Sequence, residues 1–293
     1  MKNRLLYLFP LFALCSCAAP AESSSSLSRI THPTSSSSSS ISESSSSSEP
    51  TSSSGVEPSS SSSSKPAADL EESQWPSFPK LYLEHLQTFS SYKAVTSGKT
   101  TTNLGTEQSI DVEAIKGEYG YLKNVSNSIF VNTYHQAYFH NGNALYRDST
   151  DGEFSNASLD GYLDLYGVDP FGYAIEGYEI GEGCINDVTR LESASDYVYK
   201  IAFDVEKATS NVRIQMKRFG GLKDYPSFSK IEITLTVKED LTPVKLHVDA
   251  AYQAVKNVIF DITTDCVQDY DVTFSNFDEE IPIEGIDSVK DRI

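Results

Sequence analysis

The C-terminal third of the chain is patterned in twos. In DYVYKIAFDVE, Tyr197, Tyr199, Ile201, Phe203 and Val205 fall on one face, with Lys200, Asp204 and Glu206 on the other. KIEITLTV sorts Ile231, Ile233, Leu235 and Val237 against Glu232, Thr234 and Lys238. PVKLHVDAAY sorts Val244, Leu246, Val248 and Tyr252 against Lys245, His247 and Asp249, and YDVTF sets Tyr270, Val272 and Phe274 against Asp271 and Thr273. Successive side chains point to opposite faces of a strand, so each segment has one dry and one wet face. Such strands belong to an antiparallel sheet covered on one side only, and something must cover the dry face.

Upstream, KLYLEHLQTF spaces Tyr82, Leu83, Leu86 and Phe89 as the stripe of a short amphipathic helix. From Tyr92 the period changes to two, in YKAVTSGKTTT, SIDVEAI and NSIFVNTY. QAYFH and NALYRDS are joined by Asn141-Gly142, a strong short hairpin signal. SLDGYLDLYG, with Ser158 or Asp160 as cap and Asp169-Pro170 beyond its end, predicts a second short helix. These two helices are the available cover for the sheet. The glycine-rich stretch 171–192 has no period that assigns it. The fold class is mainly β with a few short helices, that is α+β, built on an antiparallel sheet.

Residues 74–285 form one domain long enough for a substantial core, followed by a C-terminal tail at 286–293. Ahead of it, residues 23–64 hold 26 serines in 42 positions, almost without aliphatic side chains. Such a tract cannot bury enough apolar surface to offset its chain entropy, so residues 17–73 read as a disordered linker. The serine tract reaches roughly 35 Å as a flexible coil. The chain carries 23 basic and 41 acidic side chains, a net charge of −18. A chain this acidic is a poor candidate for binding nucleic acid or an anionic lipid surface through its charge.

Lys2 and Arg4 precede the apolar run Leu5 to Leu14, and small residues follow, the layout of an export signal. The run contains Pro10 and is too short to span a bilayer as a helix. Leu14-Cys15-Ser16-Cys17 resembles the lipobox of bacterial lipoproteins. The resemblance implies that residues 1–16 are removed as a lipoprotein signal peptide and that Cys17 carries a diacylglyceryl group. Cys17 has the small Ser16 just before it and Leu14 three residues back, whereas Cys15 follows the bulky Leu14. Loss of residues 1–16 removes two bases and no acid, leaving 21 against 41, or −20. Two acyl chains suffice for stable anchoring. The expected location is extracytoplasmic, on the bacterial cell membrane, with the membrane as partner through the lipid.

One N-terminal helix, a meander of alternating strands, and the run ITLTVKEDLTPVKLHVDAAYQ leading to YDVTFSNFDEEIPI together resemble the lipoprotein-carrier superfold. Its members include LolA-type carriers and LppX/LprG-type lipoproteins. The resemblance covers roughly residues 78–283. It implies a curved sheet, a half-open barrel wrapping helices around an apolar cavity for acyl chains. Tyr197, Tyr199, Phe203, Tyr252 and Phe274, the large dry-face residues, are then the candidate lining. No catalytic residue carries over, and no cofactor is implied.

Other constellations fail on their own chemistry. Gly98-Lys99-Thr100 resembles the end of a phosphate loop, but Lys93 stands where that loop needs glycine. Ser90-x-x-Lys93 and Ser227-x-x-Lys230 lack the other elements of a serine acyl-enzyme. His135 and His140 point to opposite faces of an extended chain. Asp265, Asp269 and Asp271 lack the glycine and terminal glutamate of a calcium loop, so no metal site is assigned. Cys184 and Cys266 are either a disulfide, favoured outside the cytoplasm, or two buried thiols. The expected function is a noncatalytic, membrane-anchored lipoprotein that binds a lipid or other apolar ligand. The alternative is a surface interaction or structural lipoprotein with a filled core and no ligand.

Overall fold

The computed structural model describes residues 67–127, 132–168, 175–257 and 260–293. The signal, Leu14, Ser16, Cys17 and the serine tract lie outside them. In chain order the elements are α1 (Phe78–Thr88), β1 (Tyr92–Thr102), β2 (Glu107–Lys116), β3 (Gly120–Asn127), β4 (Asn132–His140), β5 (Asn143–Arg147), β6 (Ser155–Ser158) and α2 (Leu159–Tyr166). They continue with β7 (Ile185–Leu191), β8 (Tyr197–Phe203), α3 (Ser210–Gly220), β9 (Ser227–Val237), β10 (Pro243–Asn257) and β11 (Asp261–Ser275). All eleven strands form one open sheet in the order β6-β5-β4-β3-β2-β1-β11-β10-β9-β8-β7. Every described pairing in it is antiparallel. The mainly β class read from the alternation is therefore the class observed.

Two meanders run outward from a central seam. β1 to β6 unroll one way and β11 back to β7 the other, and β1 pairs with β11 from Lys93↔Ser275 to Thr102↔Cys266. The register makes one face continuous across that seam. Ala94, Thr96 and Thr100 of β1 align with Val112 and Ala114 of β2 and with Gln268, Val272 and Phe274 of β11. All three helices pack on this inner face. Phe78, Tyr82, Leu83 and Leu86 of α1 join β8 to β11 in the largest core cluster, with Val212 of α3. Tyr162 and Tyr166 of α2 cover Leu122, Ala137, Phe139 and Ala144, helped by Phe219 of α3.

Local chemistry fixes the ends of these elements. The Ser158 hydroxyl accepts from the Gly161 amide at 3.1 Å and caps α2. α2 ends on Gly167 at φ 66°, where an added Cβ would meet the Asn211 carbonyl of α3 at 2.2 Å. Only glycine lets the two helices approach so closely. Asn141 and Gly142 both have positive φ, as the two-residue turn between β4 and β5 requires.

The structure departs from the sequence reading in several places. NSIFVNTY is not one strand: Asn127 ends β3 and faces Asn132, the first residue of β4. α3 was not foreseen, because its buried stripe is thin, with Val212 alone fully buried and Met216 partly so. The packed region begins before residue 74. Ala68 is fully buried, its amide donates to Glu239 O (3.0 Å), and its carbonyl accepts from the Tyr199 hydroxyl (2.7 Å). Asp69 pairs with Arg190.

Nor is 286–293 a tail. It forms two short 3₁₀ turns, and Val289 packs with Ile115, Tyr121, Tyr138 and Leu145 on the outer face, flanked by Ile281, Ile283, Ile286 and Ile293. That half of the sheet is thus covered on both faces, contrary to a sheet dry on one side throughout. Gln136, buried beneath this cover, donates to the Tyr138 hydroxyl (2.9 Å), which in turn donates to Glu284 O (2.8 Å). The C-terminal segment satisfies polar groups that would otherwise be orphaned under it. Cys184 and Cys266 form no disulfide. Both are buried free thiols, and strands β8, β9 and β10 lie between β11, which holds Cys266, and β7, which Cys184 precedes.

Candidate functional site

The inner face is buried along its length. Beneath α1, Tyr199, Ile233, Leu235 and Val237 are completely buried, and the Phe78 ring stacks on Tyr199 at 3.8 Å. Toward the other end of β1, β9, β10 and β11, Thr100, Phe228, Tyr252, Cys266 and Tyr270 each keep 6–8% of their surface exposed. The register brings these residues together. Tyr252 opposes Phe228 and Cys266, Thr100 opposes Gln268, and Gly98 opposes Tyr270. A Cβ on Gly98 would lie 2.3 Å from the Cβ of Tyr270, so the glycine lets β1 and β11 close tightly behind the site.

A hairpin turn completes the wall. Ile175 and Tyr178 exchange both backbone hydrogen bonds (3.2 and 2.9 Å) around Glu176 and Gly177, whose φ angles are 50° and 81°. A side chain other than glycine, asparagine or aspartate is uncommon at such a position and is strained there. Tyr178 is fully buried, and its ring lies 5.9 Å from Phe203 and 6.1 Å from Phe228. Its hydroxyl has no hydrogen-bond partner among the described residues. Gln268 Oε1, on the same face beside Tyr270, is likewise buried and without a partner. A buried polar group left without a partner costs roughly 1–3 kcal/mol; His85 Nε2 and Thr133 Oγ1 are the other such atoms among the described residues, and they lie apart from this pair.

The electrostatics of the region follow from burial. Desolvation pushes the hydroxyls of Tyr82, Tyr178, Tyr252 and Tyr270 well above the ordinary phenol range. Tyr252 also lies within reach of Thr100 and Cys266. Burial pushes the Cys266 thiol up to about 11, so it is an inert thiol rather than a nucleophile. Glu176 is the exceptional group. Desolvation pushes its carboxyl up to about 7, and it feels Tyr82, Tyr178 and Tyr270 but makes no hydrogen bond or ion pair among the described residues.

The residues chosen from the sequence as lining all belong to one core cluster, Tyr199, Phe203 and Tyr252 within it and Tyr197 and Phe274 packed against it, but they are spread along its length. Tyr252 stands in this region, its ring 5.4 Å from Phe228. Phe203 borders it through Tyr178. Tyr199 is sealed beneath Phe78, Phe274 packs toward Tyr92 at the other end (6.2 Å), and Tyr197 lies under the Arg190 guanidinium (5.0 Å). Glu176, Tyr178 and Gln268 were missed. Two signals could have found them: the Glu-Gly pair between Ile175 and Tyr178, and a glutamine in the even-numbered series Cys266, Gln268, Tyr270.

Two other constellations were weighed as sites. His135 Nδ1 donates to Asp148 (2.8 Å) and its Nε2 accepts from the Tyr162 hydroxyl (2.7 Å), while Tyr166 donates to the second Asp148 oxygen (3.0 Å). The order of groups is that of a charge-relay triad, yet Tyr162 is fully buried and ringed by Phe139, Tyr146 and Tyr166. No substrate reaches it, and the network ties α2 to β4 and β5. Burial lowers the His135 pKa and keeps the ring neutral, outweighing Asp148. A groove of about 470 Å³ between β8 and β9 is lined by Asp204, Glu206, Lys230 and Glu232. Lys230 is already bridged there to Glu232 of β9 and to Asp249 of β10.

No protein-family model matches the chain, and no curated protein matches it. Among solved structures it is similar to a LolA superfamily protein from Nitrosomonas europaea, with 11% identity and a TM-score of 0.27, covering 71% of this chain and 96% of that one. It is also similar to a hypothetical protein from Chlamydia trachomatis, with 8% identity, TM-score 0.26 and coverage of 69% and 97%. A third is a DUF1329 family protein from Desulfovibrio piger, with 10% identity, TM-score 0.26 and coverage of 72% and 94%. Similarities this distant carry no functional information, and what the chain binds must be read from its own residues.

Glu176 has a measurable signature. Its carboxyl rises from 4.5 to about 7 on folding, so the folded state holds a proton that the unfolded state releases between those values. The stability it confers is complete below about pH 4.5 and is lost as pH rises through about 7. Glu176→Gln should therefore leave the melting temperature unchanged near pH 4 and raise it by several degrees at pH 8, as scanning calorimetry across that range will show.

Proposed function

We propose that this chain is a noncatalytic, membrane-anchored extracytoplasmic lipoprotein whose inner face binds an amphiphile with a largely apolar body. The observation that carries the binding reading is a pair of buried polar atoms without partners among the described residues, Tyr178 Oη and Gln268 Oε1, at the aromatic end of the inner face. Apolar walls with a few convergent polar groups are the usual make-up of a small-molecule site. The same end of the sheet carries exposed apolar side chains. Leu104 in the β1–β2 turn, Tyr225 before β9 and Phe260 before β11 are all more than half exposed. The register sets these turns at one end, through Thr102↔Cys266, Gln253↔Ser227 and Asn257↔Asp261. They form an apolar rim across which an amphiphile can pass from a membrane into the sheet.

A neutral solvatochromic dye such as Nile red, added to the full chain, should bind saturably and raise its melting temperature, because a ligand that binds only the folded state stabilises it by mass action. Tyr252→Asp, once shown to be folded by circular dichroism, should lose most of that binding. Absence of dye binding by a folded chain would favour the interaction-protein alternative, which the solid packing beneath α1 supports. Anchoring rests on Ser16 and Leu14 ahead of Cys17. Labelled palmitate should enter the wild type and Cys15→Ala but not Cys17→Ala, and label retained in Cys17→Ala would exclude that attachment point.

A further inference from the structure

Glu176 is a half-buried carboxylate with no ion pair or hydrogen bond among the described residues, on the tight turn beside the unpartnered Tyr178 hydroxyl. Its electrostatic neighbours are Tyr82 from α1, its hairpin partner Tyr178, and Tyr270 from β11. None can be a cation. The groups packed around the hairpin are no different: Val212 and Gln215 of α3 lie closest to Gly177, and the Glu179 amide bonds the Ala208 carbonyl. On the inner face of β10 and β11 the register places one basic side chain, Lys256, opposite Ile262. It is four residues beyond Tyr252 along β10, roughly 13 Å at strand rise, toward the rim. Elsewhere Lys93, Lys99, Lys200, Lys223 and Lys230 are each bridged to a carboxylate.

Resting on the reading of the inner face as an amphiphile site, we infer that the polar end of the ligand is an organic ammonium group, received by Glu176, Tyr178 and Gln268 among the rings of Tyr82, Tyr252 and Tyr270. The Tyr178 hydroxyl can donate or accept and serves either charge, so the other elements decide the sign. The carboxylate and the glutamine Oε1 accept hydrogen bonds, and an ammonium brings only donors. Tyrosine ring faces carry negative quadrupole charge and attract a cation, most strongly when it is desolvated. A second carboxylate or phosphate would meet Glu176 in a low-dielectric setting and repel it. The chain's net charge of −18 adds a long-range field of the same sense. An arriving ammonium also resolves the Glu176 strain, since a nearby cation restores the charged form that burial disfavours.

The test uses the full chain at about pH 8 and three amphiphiles with the same tail: decylammonium, decanol and decanoate, with affinities from isothermal titration calorimetry. Decylammonium should bind at least tenfold tighter than decanol, and decanoate more weakly than either. Glu176→Gln should reduce decylammonium to the level of decanol while leaving decanol unchanged, and Tyr178→Phe, which keeps the ring, should cost a smaller part of the same preference. Ethanolammonium added alone separates the sources of the group. Binding that Glu176→Gln abolishes points to a free small amine, and no binding points to a lipid-like amine, either of which upholds the ammonium site. Equal affinity for the three amphiphiles, or a preference for decylammonium that survives Glu176→Gln, overturns the ammonium assignment while leaving the amphiphile site standing. Failure of all three to bind overturns both.

Discussion

The pairing of β1 with β11 is the joint on which the rest of the structure depends. The two strands lie at opposite ends of the folded sequence, and their ladder fuses two meanders into one sheet with a continuous inner face. Closing so long a loop is entropically slow, and only contacts made afterwards recover the cost. The recovery comes from the cluster that α1, β1 and β8 to β11 form together. Gly98 sits in this joint because Tyr270 leaves no room for a side chain opposite it. The joint both builds the sheet and defines the back of the candidate site.

Around it, the molecule treats buried polarity in two ways. In the β3–β5 half, the large buried polar side chains have partners: His135 is held between Asp148 and Tyr162, and Gln136 by Tyr121, Tyr138 and Arg147. Loss of either network would orphan groups at a cost of a few kcal/mol. On the inner face by β10 and β11, Tyr178, Gln268 and Glu176 are buried or half-buried with no such partners. Thr133 Oγ1 of β4 and His85 Nε2 of α1 also lack partners among the described residues, but only Tyr178 and Gln268 stand at the same end of the inner face, where a ligand could supply what is missing.

Much of the sheet was legible because alternation is a direct print of the strand. β8 to β11 and the turn at Asn141-Gly142 could be placed from side-chain order, and α2 from its serine cap. What escaped notice has specific causes. α3 buries too narrow a stripe to show a helical period. The C-terminal segment presents scattered isoleucines whose partners, Tyr121, Tyr138 and Leu145, are far away in sequence. Tyr252 and Tyr270 could be assigned to the inner face, but alternation is the same for a packed core and a lined site. Glu176 and Tyr178 lay in a glycine-rich stretch without period, where Glu-Gly stands in place of the stronger Asn-Gly turn signal. A strand pattern reveals which way a side chain points and leaves out which polar atoms find partners.

The central claim is that a ligand is held at the β10–β11 end of the inner face and not where Phe78 stacks on Tyr199. Solution NMR of the full chain, with labelled tyrosine rings and glutamine side-chain amides, tests it as decylammonium is titrated in. The account requires resonances of Tyr178, Tyr252, Gln268 and Tyr270 to shift together and saturate, while Tyr199, sealed under Phe78, stays in place. Shifts confined to Tyr199 and its neighbours, or to residues on the outer face such as Tyr121 and Tyr138, would contradict it.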